Sequence, residues 1–158
     1  MLAREGWVLR TGMAAGADQA FYRGASAHGA FELYLPWPTF QHDARLPARG
    51  TEQFVLEAPS CAAYQLAERF HPAWSRLPRA VRALHARNCH QVLGCDLASP
   101  ARFVLCWTPD GSLDGRGRHV GGTGQALRLA HHHGIVVFNL ARAEHIERLA
   151  RRCADAGR

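Results

Sequence analysis

The chain has 158 residues, enough for one domain with a single substantial core and too few to expect two. Its formal charge of +6 rests on 19 basic residues, all arginine, in no run longer than two, so the clustered basic stripe that suits nucleic acid is missing. Five cysteines, Cys61, Cys89, Cys95, Cys106 and Cys153, never fall in a C-x-x-C spacing, no apolar stretch approaches a membrane span, and the first residues make no signal peptide; a soluble cytoplasmic protein with reduced thiols is expected.

Met1 to Gly6 reads as the last turn of a helix closed by glycine, and Trp7 to Arg10 as a short strand. Thr11 to Phe21 is a glycine-punctuated turn entering a helix, with Ala17, Ala20, Phe21 and Ala25 at the spacing of a core-facing stripe. Phe31 to Leu35 alternates as a strand and Pro36-Trp37-Pro38 stops it. Thr39 to Gly50 is polar and reads as a mobile surface loop. Helices follow from Pro59 to Phe70 and from Pro78 through Val92. Phe103 to Trp107 is an apolar run with the pattern of a buried strand, Gly124 to His133 a helix, Ile135 to Asn139 the last buried strand, and Arg142 to Cys153 an amphipathic helix. Strands that alternate with helices predict a mainly parallel sheet of four strands in one α/β domain covering residues 1–158.

The stretch that organises this pattern is Val120-Gly121-Gly122-Thr123-Gly124-Gln125, between a strand and a helix. Such a turn presents backbone N–H groups and the positive end of a helix dipole to an anion, at the carboxyl end of a strand where open α/β sheets bind ligands. The turn Gly12-Met13-Ala14-Ala15-Gly16 repeats the arrangement. Around these turns, Arg87 and Asn88 suit a phosphate or a ribose hydroxyl as well as they suit a solvated helix face. Asp18 suits a ribose hydroxyl or the start of a helix. Trp107 fits a base platform or, more commonly, a core. Thr108 and Gln125 are expected at the pocket rim. The run His131-His132-His133 points around a helix rather than at one metal, so no metal site is expected, and no cofactor is predicted.

Several motifs in order, Leu9 to Phe21, Glu32-Leu33-Tyr34-Leu35-Pro36-Trp37, His71-Pro72-Ala73-Trp74, Arg87 to Gly94, Cys106 to Gly111 and Gly121 to Ala126, resemble phage and bacterial Rossmann-like proteins of the SLOG superfamily. That superfamily also holds the DNA-processing protein DprA and the LOG phosphoribohydrolases. The resemblance, which runs from Trp7 to Leu140, implies a three-layer Rossmann-like α/β domain. It also implies a phosphorylated nucleoside or an NAD-derived small molecule, such as an ADP-ribose relative, held between Gly12, Met13, Gly16 and Asp18 on one side and Gly121, Gly122, Thr123, Gly124 and Gln125 on the other. In a phage setting such a domain would sense or sequester a host signal, by analogy alone.

Three departures carry weight. The superfamily's opening strand has no counterpart, which implies that the given sequence starts after it, that the inner strands close up and the remaining sheet stands alone, or that a second copy or another chain fills the gap, a homodimer being the expected and commonest closed solution. Met13 stands where close relatives carry glycine. Leu127 and Arg128 stand where the phosphoribohydrolases carry two glutamates, so binding without catalysis is implied. The alternatives are N-glycosidic cleavage supported by Glu32, Asp18 or Asp110, single-stranded DNA binding of the DprA kind, and a module for interaction only.

Overall fold

The computed structural model describes residues 1–45, 53–118 and 120–156. Among the described residues five strands and five α-helices follow in the order β1 (Leu9–Thr11), α1 (Ala17–Ser26), β2 (Phe31–Tyr34), β3 (Gln53–Leu56), α2 (Cys61–Phe70), α3 (Arg79–Leu93), β4 (Phe103–Cys106), α4 (Thr123–His132), β5 (Val136–Asn139) and α5 (Ala143–Ala156). Every strand pairing is parallel. The architecture is mixed α/β and Rossmann-like.

Alternation along the strands sorts their side chains between two helical layers. Phe31 and Leu33 of β2 are buried in one cluster with Met13, Tyr22 of α1 and Leu35. Tyr34, on the opposite face, stacks on His90 of α3 with ring centroids 5.7 Å apart. In the second half of the chain Val104 and Val137 pack on the cluster formed by α2, α3 and α4. Phe138 turns the other way, toward His145 and Arg148 of α5. Small residues at the helix contacts, Ala63 and Ala67 of α2, Ala86 of α3 and Ala130 of α4, are fully buried and let the helices approach closely.

Local chemistry sets the helix ends. The Ser60 side chain accepts the Ala63 N–H at 3.2 Å and caps α2. The opening residues form a 3₁₀ turn, Leu2–Glu5, which Gly6 closes in the left-handed conformation at φ 81°.

Several expectations need correction. The strands form two sheets, β1-β2-β3 and β4-β5, and β1 does not pair with β4. β3 was not legible in the sequence: it is a four-residue strand whose Phe54 and Val55 are both exposed. Within the stretch read as a surface loop, His42–Ala44 forms a 3₁₀ turn, and residues 46–50 lie outside the described residues. On α1 the buried positions are Tyr22 and Ala25, while Ala20 is exposed, because Tyr22 fills the space over Phe31 at 5.0 Å. β4 and β5 are only partly buried: Val136 is exposed and Phe103, Val104 and Leu105 are half-buried. Among the described residues no helix is long and apolar enough to cross a membrane.

Candidate anion site at two glycine turns

Both glycine turns precede a ten-residue helix, and neither helix is capped by a side chain: Gly16 is the N-cap of α1 and Gly122 that of α4. Gly16 has φ 97° and Gly121 φ 50°, backbone that glycine adopts without the clash a Cβ would bring. A Cβ built on Gly121 or on Gly122 would meet nothing within 4 Å, so the start of α4 faces open space. Two residues downstream, at Gly124, the chain is packed tightly instead. A Cβ on Gly124 would lie 2.4 Å from Val120 Cγ2, and one on Gly115 would lie 2.1 Å from the Gly124 carbonyl oxygen. The loop after β4 is thereby pressed onto α4.

Arg87 and Asn88, adjacent on α3, tie the two turns together. The Arg87 Nη1 donates to Asp18 Oδ2 at 2.9 Å and to Gln91 Oε1 at 2.6 Å. The Ala14 N–H of the first turn donates to the same Asp18 oxygen at 3.2 Å. Asn88 Nδ2 donates to the Gly122 carbonyl at 3.3 Å and to Gln125 Oε1 at 3.3 Å. Neither residue is on a solvated helix face: Arg87 is 5% exposed and Asn88 9%. Asp18 does not cap α1; it lies in the first turn and serves as the counter-ion to Arg87.

The remaining candidates divide clearly. Trp107 is exposed, at 54%, where a core position was the commoner expectation; β4 ends one residue earlier and releases it to solvent. Gln125 is fully buried rather than at a rim, with Nε2 donating to Cys89 Sγ at 3.3 Å. Thr108 is likewise buried, and its hydroxyl is consumed: it donates to Asp110 Oδ1 at 2.8 Å and accepts from Asn139 Nδ2 at 2.7 Å. Thr123 is half-buried as the first residue of α4. Met13 is left-handed at φ 62° and fully buried, which explains why glycine suits that position and why methionine is tolerated there: its side chain joins the core.

Two residues not predicted to belong to the site hold it in shape. Asn139, at the end of β5, accepts the Thr108 and Ala141 N–H groups and donates to the Ser112 carbonyl, fixing the turns after both β4 and β5. An asparagine closing an apolar run was the available signal, and the structure buries it fully. Arg128 donates to the Phe70 carbonyl at 2.7 Å and to the Gly115 carbonyl at 2.6 Å, strapping the loop to α2 and α4. Leu127 beside it is fully buried in the core.

Below the site, burial pushes the His85 pKa down to about 4, helped by His71, whose ring centroid is 4.5 Å away, and by Arg128 and Arg87. The Cys106 thiol is pushed up to about 11 by burial, as expected of an inert core thiol. Among the described residues, open clefts lie elsewhere. One of about 610 Å³ lies between Asp110, Arg118, His131 and Arg142, and one of about 370 Å³ between Arg10, Glu32, Tyr34 and Asp96. The glycine turns line neither, and form an open shelf.

No family model, curated protein or solved structure matches the chain.

Proposed function

We propose that the chain binds a phosphorylated nucleoside, of the ADP-ribose or NAD-derived kind, with a phosphate on the first-turn amides of α4. The observation that carries this reading is the uncapped start of α4, with open space at Gly121 and Gly122. Amides at a helix N-terminus that no side chain caps favour an anion, and the dipole adds to the attraction. Exposed Trp107 follows β4 and offers a flat apolar ring for a base. The motif-level resemblance to the SLOG superfamily points the same way. The reading is of binding, not hydrolysis, since Leu127 is in the core and Arg128 is engaged as a strap.

Calorimetric titration of ADP-ribose and AMP into the wild type and Gly122→Val tests it. Gly122 has φ −63° and open surroundings, so the variant folds, and binding is lost with little change in melting temperature. Equal affinity in the variant removes this turn from the site.

A second reading concerns assembly. Among the described residues β1 is paired only with β2, and β4 only with β5, with Trp7 and Val8 exposed beside β1. Unpaired strand edges invite another strand, and a symmetric homodimer is the commonest closed arrangement. Sedimentation equilibrium at micromolar concentration gives a dimer on this reading; a stable 17.4 kDa species that binds its ligand rejects it.

A further inference from the structure

The cleft of about 610 Å³ is walled by three segments: the loop after β4, Arg142 in the turn after β5, and His131 of α4. That volume falls within the range of small-molecule sites. Its walls are fixed from several directions. Arg128 of α4 donates to the Gly115 carbonyl at 2.6 Å, Asn139 of β5 to the Ser112 carbonyl at 2.9 Å, and Arg142 Nε to the Gly111 carbonyl at 2.7 Å.

The two carboxylates of the lining are engaged by the loop itself. Asp110 Oδ1 accepts the Thr108 hydroxyl at 2.8 Å and the Ser112 N–H at 3.1 Å. Its Oδ2 lies against Gly117, where a Cβ would collide with it. Asp114 Oδ1 accepts the Arg116 N–H at 3.0 Å, and its Oδ2 is 3.8 Å from Arg116 Nε. The cationic and donor groups are not engaged in this way. Arg118 and His131 are exposed, and among the described residues neither side chain makes a hydrogen bond. Arg142 Nη1 stands 3.8 Å from Glu144 Oε1, beyond hydrogen-bond reach.

We propose that this cleft is a second ligand site, which takes the phosphoryl group of a small phosphomonoester on Arg118, Arg142 and His131. Guanidinium groups offer paired N–H donors to phosphate oxygens. Donors arriving from three segments suit the three oxygens of a phosphoryl group better than the two of a carboxylate. The site is independent of the nucleotide reading, because neither glycine turn lines this cleft.

Glucose 6-phosphate titrated into protein labelled with nitrogen-15, and read at the arginine Nε–H signals, tests this. Glucose and malonate serve as the uncharged and the dicarboxylate controls, and Gly122→Val takes the start of α4 out of the measurement. Saturable shifts at Arg118 and Arg142 are expected in the wild type and in Gly122→Val alike, and glucose gives none. Arg118→Gln changes an exposed side chain that holds nothing in place, so the variant folds, and it weakens glucose 6-phosphate on the order of tenfold. Shifts spread evenly over the exposed arginines, unchanged affinity in Arg118→Gln, or loss of the Arg118 and Arg142 shifts in Gly122→Val overturns the site. Tighter binding of malonate overturns the ligand class. An absence of saturable change in the wild type overturns the proposal outright and leaves the nucleotide reading to its own titration.

Discussion

Arg87 fills the space that a side chain on Gly12 would need: a Cβ built on Gly12 lies 1.2 Å from Arg87 Nη1. The glycine at this position thus serves a close approach between a backbone turn and a buried guanidinium. Gly12→Ala displaces Arg87 and separates it from Asp18. Overpacking of this kind costs about 1–3 kcal/mol, and leaving a buried charge without its partner adds to it. Urea denaturation of the variant reads the loss; an unchanged midpoint would mean that the guanidinium relocates without cost.

Met13 trades backbone strain against packing. A left-handed non-glycine residue costs roughly 1–2 kcal/mol, which Met13→Gly relieves. The same substitution removes a fully buried side chain from the cluster with Tyr22, Phe31 and Leu33, and large-to-small changes of that kind cost about 2–5 kcal/mol. The net result is a loss of about 1–3 kcal/mol, measured by chemical denaturation. A variant more stable than the wild type would show that strain outweighs burial here.

Trp107 separates base recognition from phosphate recognition. Stacking on an aromatic ring contributes about 1–3 kcal/mol per base, so Trp107→Ala weakens AMP binding roughly tenfold or more. Ribose 5-phosphate, which has no base, keeps its affinity. Because the ring is exposed, thermal stability changes little. Parallel losses for both ligands in a titration would place Trp107 outside the base contact.

His85 gives the fold a dependence on pH. Its folded pKa is about 4 against an ordinary 6.5, so between those values the unfolded chain binds the proton and the folded one does not. Stability from this group is full above pH 6.5 and declines as the pH falls toward 4, on the order of 3 kcal/mol in total. His71 and His90, both shifted down by burial, act in the same direction. Urea midpoints between pH 7 and pH 4.5 fall for the wild type and fall less for His85→Gln. An identical slope in the variant would assign the dependence to other groups.

Hydrolysis is not expected. Incubation of the purified protein with AMP, a cytokinin monophosphate or NAD releases no free base, as followed by liquid chromatography. Base release that copurifies with the protein and disappears in Asp18→Ala would reverse this reading and make Asp18 the acid or base.

The order of strands and helices was written in the sequence, because hydrophobic period and glycine punctuation are local signals. Phe103 to Cys106 and Val136 to Asn139 are short apolar runs bounded by turns, and Pro78 and Gly94 mark the ends of α3. β3 escaped notice because two of its four residues, Phe54 and Val55, are exposed and no alternation marks an edge strand so short. The glycine turns were legible for the same local reason: glycine is required where φ is positive, as at Gly16 and Gly121.

What tertiary structure decided is which side chains those turns leave available. Nothing in the sequence distinguishes a solvated Arg87 from a buried one. α3 lies against β1 and β2 and against α2 and α4, so the run from His85 to His90 is buried on every side and periodicity gives no warning. The pairing of Asp18 with Arg87 is likewise non-local: its hydrogen bond spans 69 residues. The break between β1 and β4 has the same origin. Each strand is specified by its own few residues, but whether two strand edges meet depends on what lies between them in space.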